Sequence, residues 1–169
     1  MQNQTCLEMY YRTAKAFGEE VKYSSMNFSG FIEGTGSVSI SKKTLWSEWY
    51  ATCCGAVLFK ENWASLSHRN LRNESGYNTK KDIESTLNEL SKRAGDGKVF
   101  GFVIGGNPEH MNETLDSFNE FRIVPINGGS YFSELRKGLV VVPKTRRIIL
   151  CETQEPSNKA FKKNYKILN

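Results

Sequence analysis

Residues 54–68 read Cys54-Gly55-Ala56-Val57-Leu58-Phe59-Lys60-Glu61-Asn62-Trp63-Ala64-Ser65-Leu66-Ser67-His68. Two runs of small and apolar residues are separated by the dipeptide Glu61-Asn62, and this pattern predicts a β-hairpin with strands over 55–60 and 63–70. A thiol stands at the start of the first strand and an imidazole near the end of the second. We therefore expect Cys54 and His68 to face each other across the hairpin.

The side chains of Cys54 and His68 carry the chemistry of this hairpin. Attack of a thiolate on an amide requires at least a thiol within hydrogen-bond reach of an imidazole. Because successive residues of a strand face opposite sides, only one thiol of the doublet Cys53-Cys54 can meet His68. We favour Cys54 as the nucleophile and keep Cys53 as the alternative. The competing interpretation is structural, because a cysteine usually packs in the interior as a small apolar residue.

Further elements are predicted upstream of the hairpin. Residues 5–23 carry apolar side chains at intervals of three and four, which predicts an amphipathic helix ended by Gly18. Its apolar stripe consists of Leu7, Tyr10, Tyr11, Ala14 and Phe17. Residues 37–40 alternate like a strand, and residues 45–50 are either a strand or a short helical turn.

Downstream of the hairpin, helix patterns with an apolar stripe begin at Thr79 and at Asn107. Strands are predicted over 98–104 and 123–126, and a second hairpin has its turn at Pro143-Lys144-Thr145. Together these elements predict a single α+β domain. We expect an α/β sandwich with a mixed or antiparallel sheet and at least two packed helices.

The composition limits the class of protein. The 169 residues suit one domain. No apolar run approaches the roughly 20 residues that cross a bilayer, and the first residues lack the features of a secretory signal, so we expect a cytoplasmic protein with no membrane insertion. Four cysteines are too few for a disulfide scaffold. Adjacent cysteines chelate zinc poorly, so we expect no metal and no cofactor.

Positive charge is in excess, with a formal net charge of +5 at pH 7. Basic residues gather late in the sequence, and four of them stand near its end: Lys159, Lys162, Lys163 and Lys166. No recognised nucleic-acid motif accompanies them, and aromatic residues are not interleaved with them. We therefore expect a solvated face and a basic tail rather than a nucleic-acid-binding site.

The order of elements resembles the chemoreceptor glutamine deamidases of bacterial chemotaxis, the CheD family, which are structurally akin to the catalytic domains of the cytotoxic necrotizing factor toxins. In that family a catalytic cysteine leads a strand of small and apolar residues, which Cys54 to Phe59 match, and a histidine on the next strand is matched by His68. The resemblance divides the chain into a lead-in over 1–36, a deamidase-like core over 37–152 and a basic tail over 153–169.

The resemblance implies a cysteine amidohydrolase that converts a glutamine side chain to glutamate through a thioester. Cys54 would attack and His68 would act as base and acid, while backbone N–H groups around Thr52 and Cys53 would bind the oxyanion. The family's upstream threonine has no counterpart at the same spacing. The residue six before Cys54 is Glu48, and Ser47, Thr52 or a backbone carbonyl is left to orient His68.

The implied partner is a protein with an accessible glutamine. It would be a chemotaxis receptor in a bacterial cytoplasm or, for a toxin or effector, a host protein in the host cytosol. The missing threonine favours an alternative, a catalytically silent binding or regulatory domain of the same fold. A small basic protein associated with nucleic acid is the third hypothesis, and it predicts salt-dependent binding through the tail.

Overall fold

The computed structural model describes residues 13–21, 38–48, 54–68, 79–105, 108–125, 136–153 and 164–168. Residues 13–17 are helical (α1), and the longer helices are α2 (Thr79–Ala94) and α3 (Pro108–Glu120). The strands are β1 (Glu19–Glu20), β2 (Val38–Ser41), β3 (Leu45–Glu48), β4 (Cys54–Lys60), β5 (Trp63–Ser67), β6 (Val99–Gly105), β7 (Val124–Pro125), β8 (Arg136–Val142), β9 (Arg147–Thr153) and β10 (Asn164–Leu168). The α+β class predicted from the sequence is confirmed.

The strands form two five-stranded sheets. Sheet I has the order β1-β3-β8-β9-β10, and sheet II has the order β2-β5-β4-β6-β7. Most neighbours are antiparallel, but β1 runs parallel to β3 and β7 runs parallel to β6, so both sheets are mixed. The predicted hairpin is β4–β5 in sheet II, and the second hairpin is β8–β9 in sheet I, joined by a 3-10 turn over Pro143–Thr145.

The central strand β4 shows why the chain folds into layers. Val57 and Phe59 are buried in the cluster that joins the two sheets, whereas Cys54 and Leu58 are buried in a second cluster with the helices. Successive side chains of a strand point to opposite faces, so a strand that is apolar at both parities needs cover on both sides. Sheet I covers one face of sheet II, and α2 and α3 cover the other.

The helices pack on sheet II through apolar stripes. Ile83 and Leu90 of α2 and Met111 and Phe118 of α3 are buried in this cluster. Gly101 of β6 lies under α3, and a Cβ atom built there would lie 2.5 Å from the Phe118 ring. The close approach of this helix to the sheet therefore requires glycine at the position.

Two segments differ from the sequence-based expectations. Of the apolar stripe predicted for the first helix, Ala14 is buried but Phe17 is 83% exposed. The Gly18 N–H donates to the Ala14 carbonyl at 2.6 Å and the chain then enters β1, which leaves Phe17 on the solvent side. The expected basic tail contributes the strand β10, which pairs antiparallel with β9. The first 12 residues lie outside the described residues.

Candidate functional site

A buried pair of polar side chains joins the two sheets at the end of the β4–β5 hairpin. Ser47 belongs to β3 of sheet I, and His68 directly follows β5 of sheet II. The Ser47 Oγ lies 2.6 Å from the Nδ1 of His68. Ser47, one of the three groups that the sequence leaves to orient His68, therefore lies within hydrogen-bond distance of it in the structure.

The second hydrogen bond of Ser47 fixes the direction of the first. The Ser47 hydroxyl donates to the Val21 carbonyl at 2.5 Å. A carbonyl can only accept, and a serine hydroxyl has a single hydrogen to give. Ser47 therefore accepts from His68, which places the imidazole hydrogen on Nδ1. In this tautomer the Nε2 of His68 carries the lone pair, and Nε2 is the atom that can take a proton.

The hydrogen-bonded residues Val21, Ser47 and His68 are all buried. The side chains of His68 and Ser47 are 0% and 1% exposed, and Val21 is also buried. Two hydrogen bonds in a row hold the ring at one nitrogen, and hydrogen bonds in a low-dielectric interior are stronger than in water. The chain from Val21 through Ser47 to His68 therefore sets both the orientation and the tautomer of the imidazole.

Cys54 packs on the other face of sheet II, in the buried cluster that includes Met111 of α3. The register of the hairpin explains this. The Ala56 N–H donates to the Ser67 hydroxyl at 2.8 Å, and the same hydroxyl donates to the Ala56 carbonyl at 3.2 Å. Ser67 thus lies across from Ala56, and the following residue His68 lies across from Gly55. The expectation that Cys54 and His68 face each other across the hairpin is therefore wrong, because a shift of one residue turns the Cys54 side chain to the helix-covered face of sheet II.

The structure describes only some of the other predicted site residues. Thr52 and Cys53 lie outside the described residues, so the expected oxyanion site and the alternative nucleophile stay predictions. Glu48 ends β3, where its backbone pairs with Gly138. The catalytic role assigned to Cys54 also stays a prediction.

The Val21 carbonyl is the one member of this site that sequence reasoning missed. Residue type does not show which main-chain carbonyl will accept a hydrogen bond, and 26 positions separate Val21 from Ser47. The pairing of β1 with β3, together with the hydrogen bond from the Val21 N–H to the Trp46 carbonyl at 2.9 Å, brings this carbonyl beside the serine.

The described parts of the chain contain no group of three or more His, Cys, Asp or Glu side chains that could hold a metal ion. None of the described helices is long and apolar enough to span a membrane. No protein-family model matches this sequence, and comparison with curated proteins finds no match.

Proposed function

We propose that the chain is a cysteine-dependent amidohydrolase that deamidates a glutamine side chain of a protein. The observation that carries the proposal is the buried hydrogen bond between Ser47 and His68. A hydroxyl that orients a histidine is the third part of the machinery that the deamidase resemblance implies. Ser47 supplies that hydroxyl although its spacing from the cysteines differs from the family's.

The proposed reaction uses the lone pair on Nε2 of His68 as the base. This nitrogen takes the thiol proton, and the thiolate forms a bond to the carboxamide carbon. The imidazolium then returns the proton to the leaving nitrogen, so that ammonia departs and a thioester remains. Water activated by the same nitrogen hydrolyses the thioester, which releases glutamate and restores the thiol. Ser47 acts as a positioning residue throughout.

The nucleophile comes from the doublet Cys53-Cys54. If the strand continued through Cys53, the two neighbouring side chains would face opposite sides, so we expect only one of the two thiols to serve. The sequence favours Cys54 because it leads the strand, as the cysteine does in the deamidases. Because Cys54 is buried on the helix-covered face of sheet II, Cys53 is an equal candidate for the experiment.

A glutamine-like diazoketone in a short peptide tests the proposal without knowledge of the natural substrate. The diazo carbon of this reagent takes up the proton that the thiol has given to the imidazole, and the thiolate then displaces dinitrogen and keeps the peptide as a thioether. We expect one peptide per chain, at Cys53 or Cys54, and loss of the adduct in His68→Ala. The variants Cys53→Ser and Cys54→Ser identify the thiol, and an adduct that persists in His68→Ala would contradict the proposal.

A catalytically silent binding domain is the second candidate. The specific observation in its favour is that Cys54 lies in an apolar cluster on the opposite face of sheet II from the cluster between the sheets. In that case His68 and Ser47 are a structural pair that joins the sheets, and neither thiol of the doublet reacts faster than a thiol in an unfolded peptide.

A further inference from the structure

Four segments lie at the end of the sheets remote from His68: residues 42–44, 60–63, 91–98 and 142–147. Three of them meet in sheet II. Lys60 pairs with Trp63 across the hairpin and with Val99 at the start of β6. Ser41, at the end of β2, pairs with Ala64.

Hydrogen bonds connect the three segments of sheet II to one another and to the fourth segment, residues 142–147 of sheet I. The Arg146 Nε donates to the Glu61 carbonyl at 3.3 Å, which links the β8–β9 turn of sheet I to the β4–β5 turn of sheet II. The Arg93 Nη1, at the end of α2, donates to the Ile40 carbonyl of β2 at 2.9 Å. The four segments therefore form one continuous surface, which we call the basic turn surface.

Positive charge is concentrated on the basic turn surface because the fold brings together basic residues from four separate segments of the sequence. The four segments hold nine lysines and arginines and two acidic residues. The whole chain has 23 basic and 18 acidic residues, so the remainder contains more acidic than basic side chains. Eight of the nine are exposed: Lys42, Lys43, Lys92, Arg93, Lys98, Lys144, Arg146 and Arg147. Lys60 is buried, with its Nζ bonded to the Ser91 hydroxyl.

Several of these cations are held over aromatic rings. The Lys42 Nζ and the Arg93 guanidinium lie 5.0 and 5.5 Å from the centre of the Trp63 ring. The Arg146 guanidinium lies 5.3 Å from the centre of the Phe100 ring. Such contacts fix the cation and at the same time cover the ring. The covered faces are lost to stacking with nucleic-acid bases, which is how proteins bind single strands.

Both guanidinium groups are fixed but keep donors for a ligand. The side chains of Arg93 and Arg146 are 40% and 44% exposed, and each guanidinium has five N–H donors. Carboxylates lie beside them, with Glu89 bonded to Arg93 at 2.8 Å and Glu61 at 4.0 Å from Arg146. A continuous row of phosphates would approach these carboxylates, whereas separate acidic side chains of a protein can avoid them.

We propose that the basic turn surface docks an acidic surface of a partner protein. Arginine presents a planar pair of N–H donors that matches a carboxylate, and complementary charge mainly accelerates encounter and sets orientation. The inference does not depend on the proposed chemistry at His68, because the two sites lie at opposite ends of the β4–β5 hairpin.

The test uses a fluorescent peptide with about twelve glutamates spaced by serine and glycine, and an oligothymidine of about twelve nucleotides as a probe of similar charge. Binding is measured by fluorescence anisotropy at about 50 mM salt, where surface charges are weakly screened. The turn-surface variant is Lys43→Glu with Lys144→Glu. Its matched control, Lys80→Glu with Lys81→Glu, makes the same change of charge at exposed positions in the first turn of α2.

We expect the peptide to bind more tightly than the oligothymidine, and the turn-surface variant to weaken peptide binding by about tenfold. The control variant should weaken it by less than about twofold, the effect of net charge alone. Thermal melts establish that both variants fold. Equal effects of the two variants, tighter binding of the oligothymidine, or no binding of the peptide to the unmodified protein would each overturn the proposal.

Discussion

The Oγ of Ser47 lies 2.6 Å from the Nδ1 of His68 and joins a strand of one sheet to the end of a strand in the other. The first prediction concerns the tautomer that this contact fixes. Because the Ser47 hydroxyl gives its hydrogen to the Val21 carbonyl, neutral His68 should carry its hydrogen on Nδ1. Nitrogen-15 NMR of the imidazole measures this directly. A dominant Nε2–H form would show that the Ser47 hydroxyl donates to the His68 Nδ1 instead of to the Val21 carbonyl.

The second prediction concerns stability. Ser47→Ala leaves the His68 Nδ1–H and the Val21 carbonyl buried without this partner, so the free energy of unfolding should fall by about 1–3 kcal/mol. Urea unfolding measures the loss. Ser39→Ala is the matched control, since the Ser39 hydroxyl bonds Glu19 at an exposed position and should change stability by less than about 0.5 kcal/mol. Equal losses in the two variants would contradict the importance of the buried pair.

The third prediction concerns Gly101. A Cβ atom there would lie 2.5 Å from the Phe118 ring and 2.7 Å from the Ile123 side chain, so α3 must move in Gly101→Ala. We expect a loss of about 1–3 kcal/mol in the free energy of unfolding. Gly97→Ala is the control, because its nearest neighbour is the movable end of the Glu61 side chain at 3.0 Å. A neutral Gly101→Ala would mean that the helix lies farther from the sheet.

The fourth prediction concerns the pH dependence of Glu89. The hydrogen bond from Arg93 lowers the pKa of this carboxyl, and the charges of Arg93 and Lys92 act in the same direction. A lowered pKa in the folded state stabilises the protein above the unfolded pKa, and this stabilisation is lost as the pH falls through the folded value. Carbon-13 NMR titration should show the Glu89 pKa rise in Arg93→Gln. An unchanged pKa would place Arg93 elsewhere in solution.

Much of the fold could be predicted because its signals are local. The apolar run of β4, the turn at Glu61-Asn62 and the apolar stripe of α2 each depend on residues close together in the sequence, and all three are present in the structure. The second sheet was not predicted as such. Which strands share a sheet depends on contacts between distant segments, and periodicity within one segment does not encode them.

The candidate site was likewise predicted only in part from the sequence. The sequence pointed to His68 and kept Ser47 among three candidates, and the structure brings these two together. The facing of Cys54 and His68 was wrong by one position. The two-residue turn closes as predicted, with Lys60 paired to Trp63, and this register places Gly55 rather than Cys54 across from His68. The Val21 carbonyl could not be predicted, since the main chain is the same at every residue.

The rate of iodoacetamide labelling of Cys53 and Cys54 as a function of pH separates a thiol enzyme from a catalytically silent domain. We expect one of these thiols to react rapidly well below about pH 8.5, where an ordinary thiol is protonated, because Nε2 of His68 takes its proton. His68→Ala should abolish the rapid reaction and Ser47→Ala should slow it, while Ser39→Ala should not. If both thiols react no faster than a model peptide at every pH, and His68→Ala changes neither rate, the account of a thiol enzyme is contradicted.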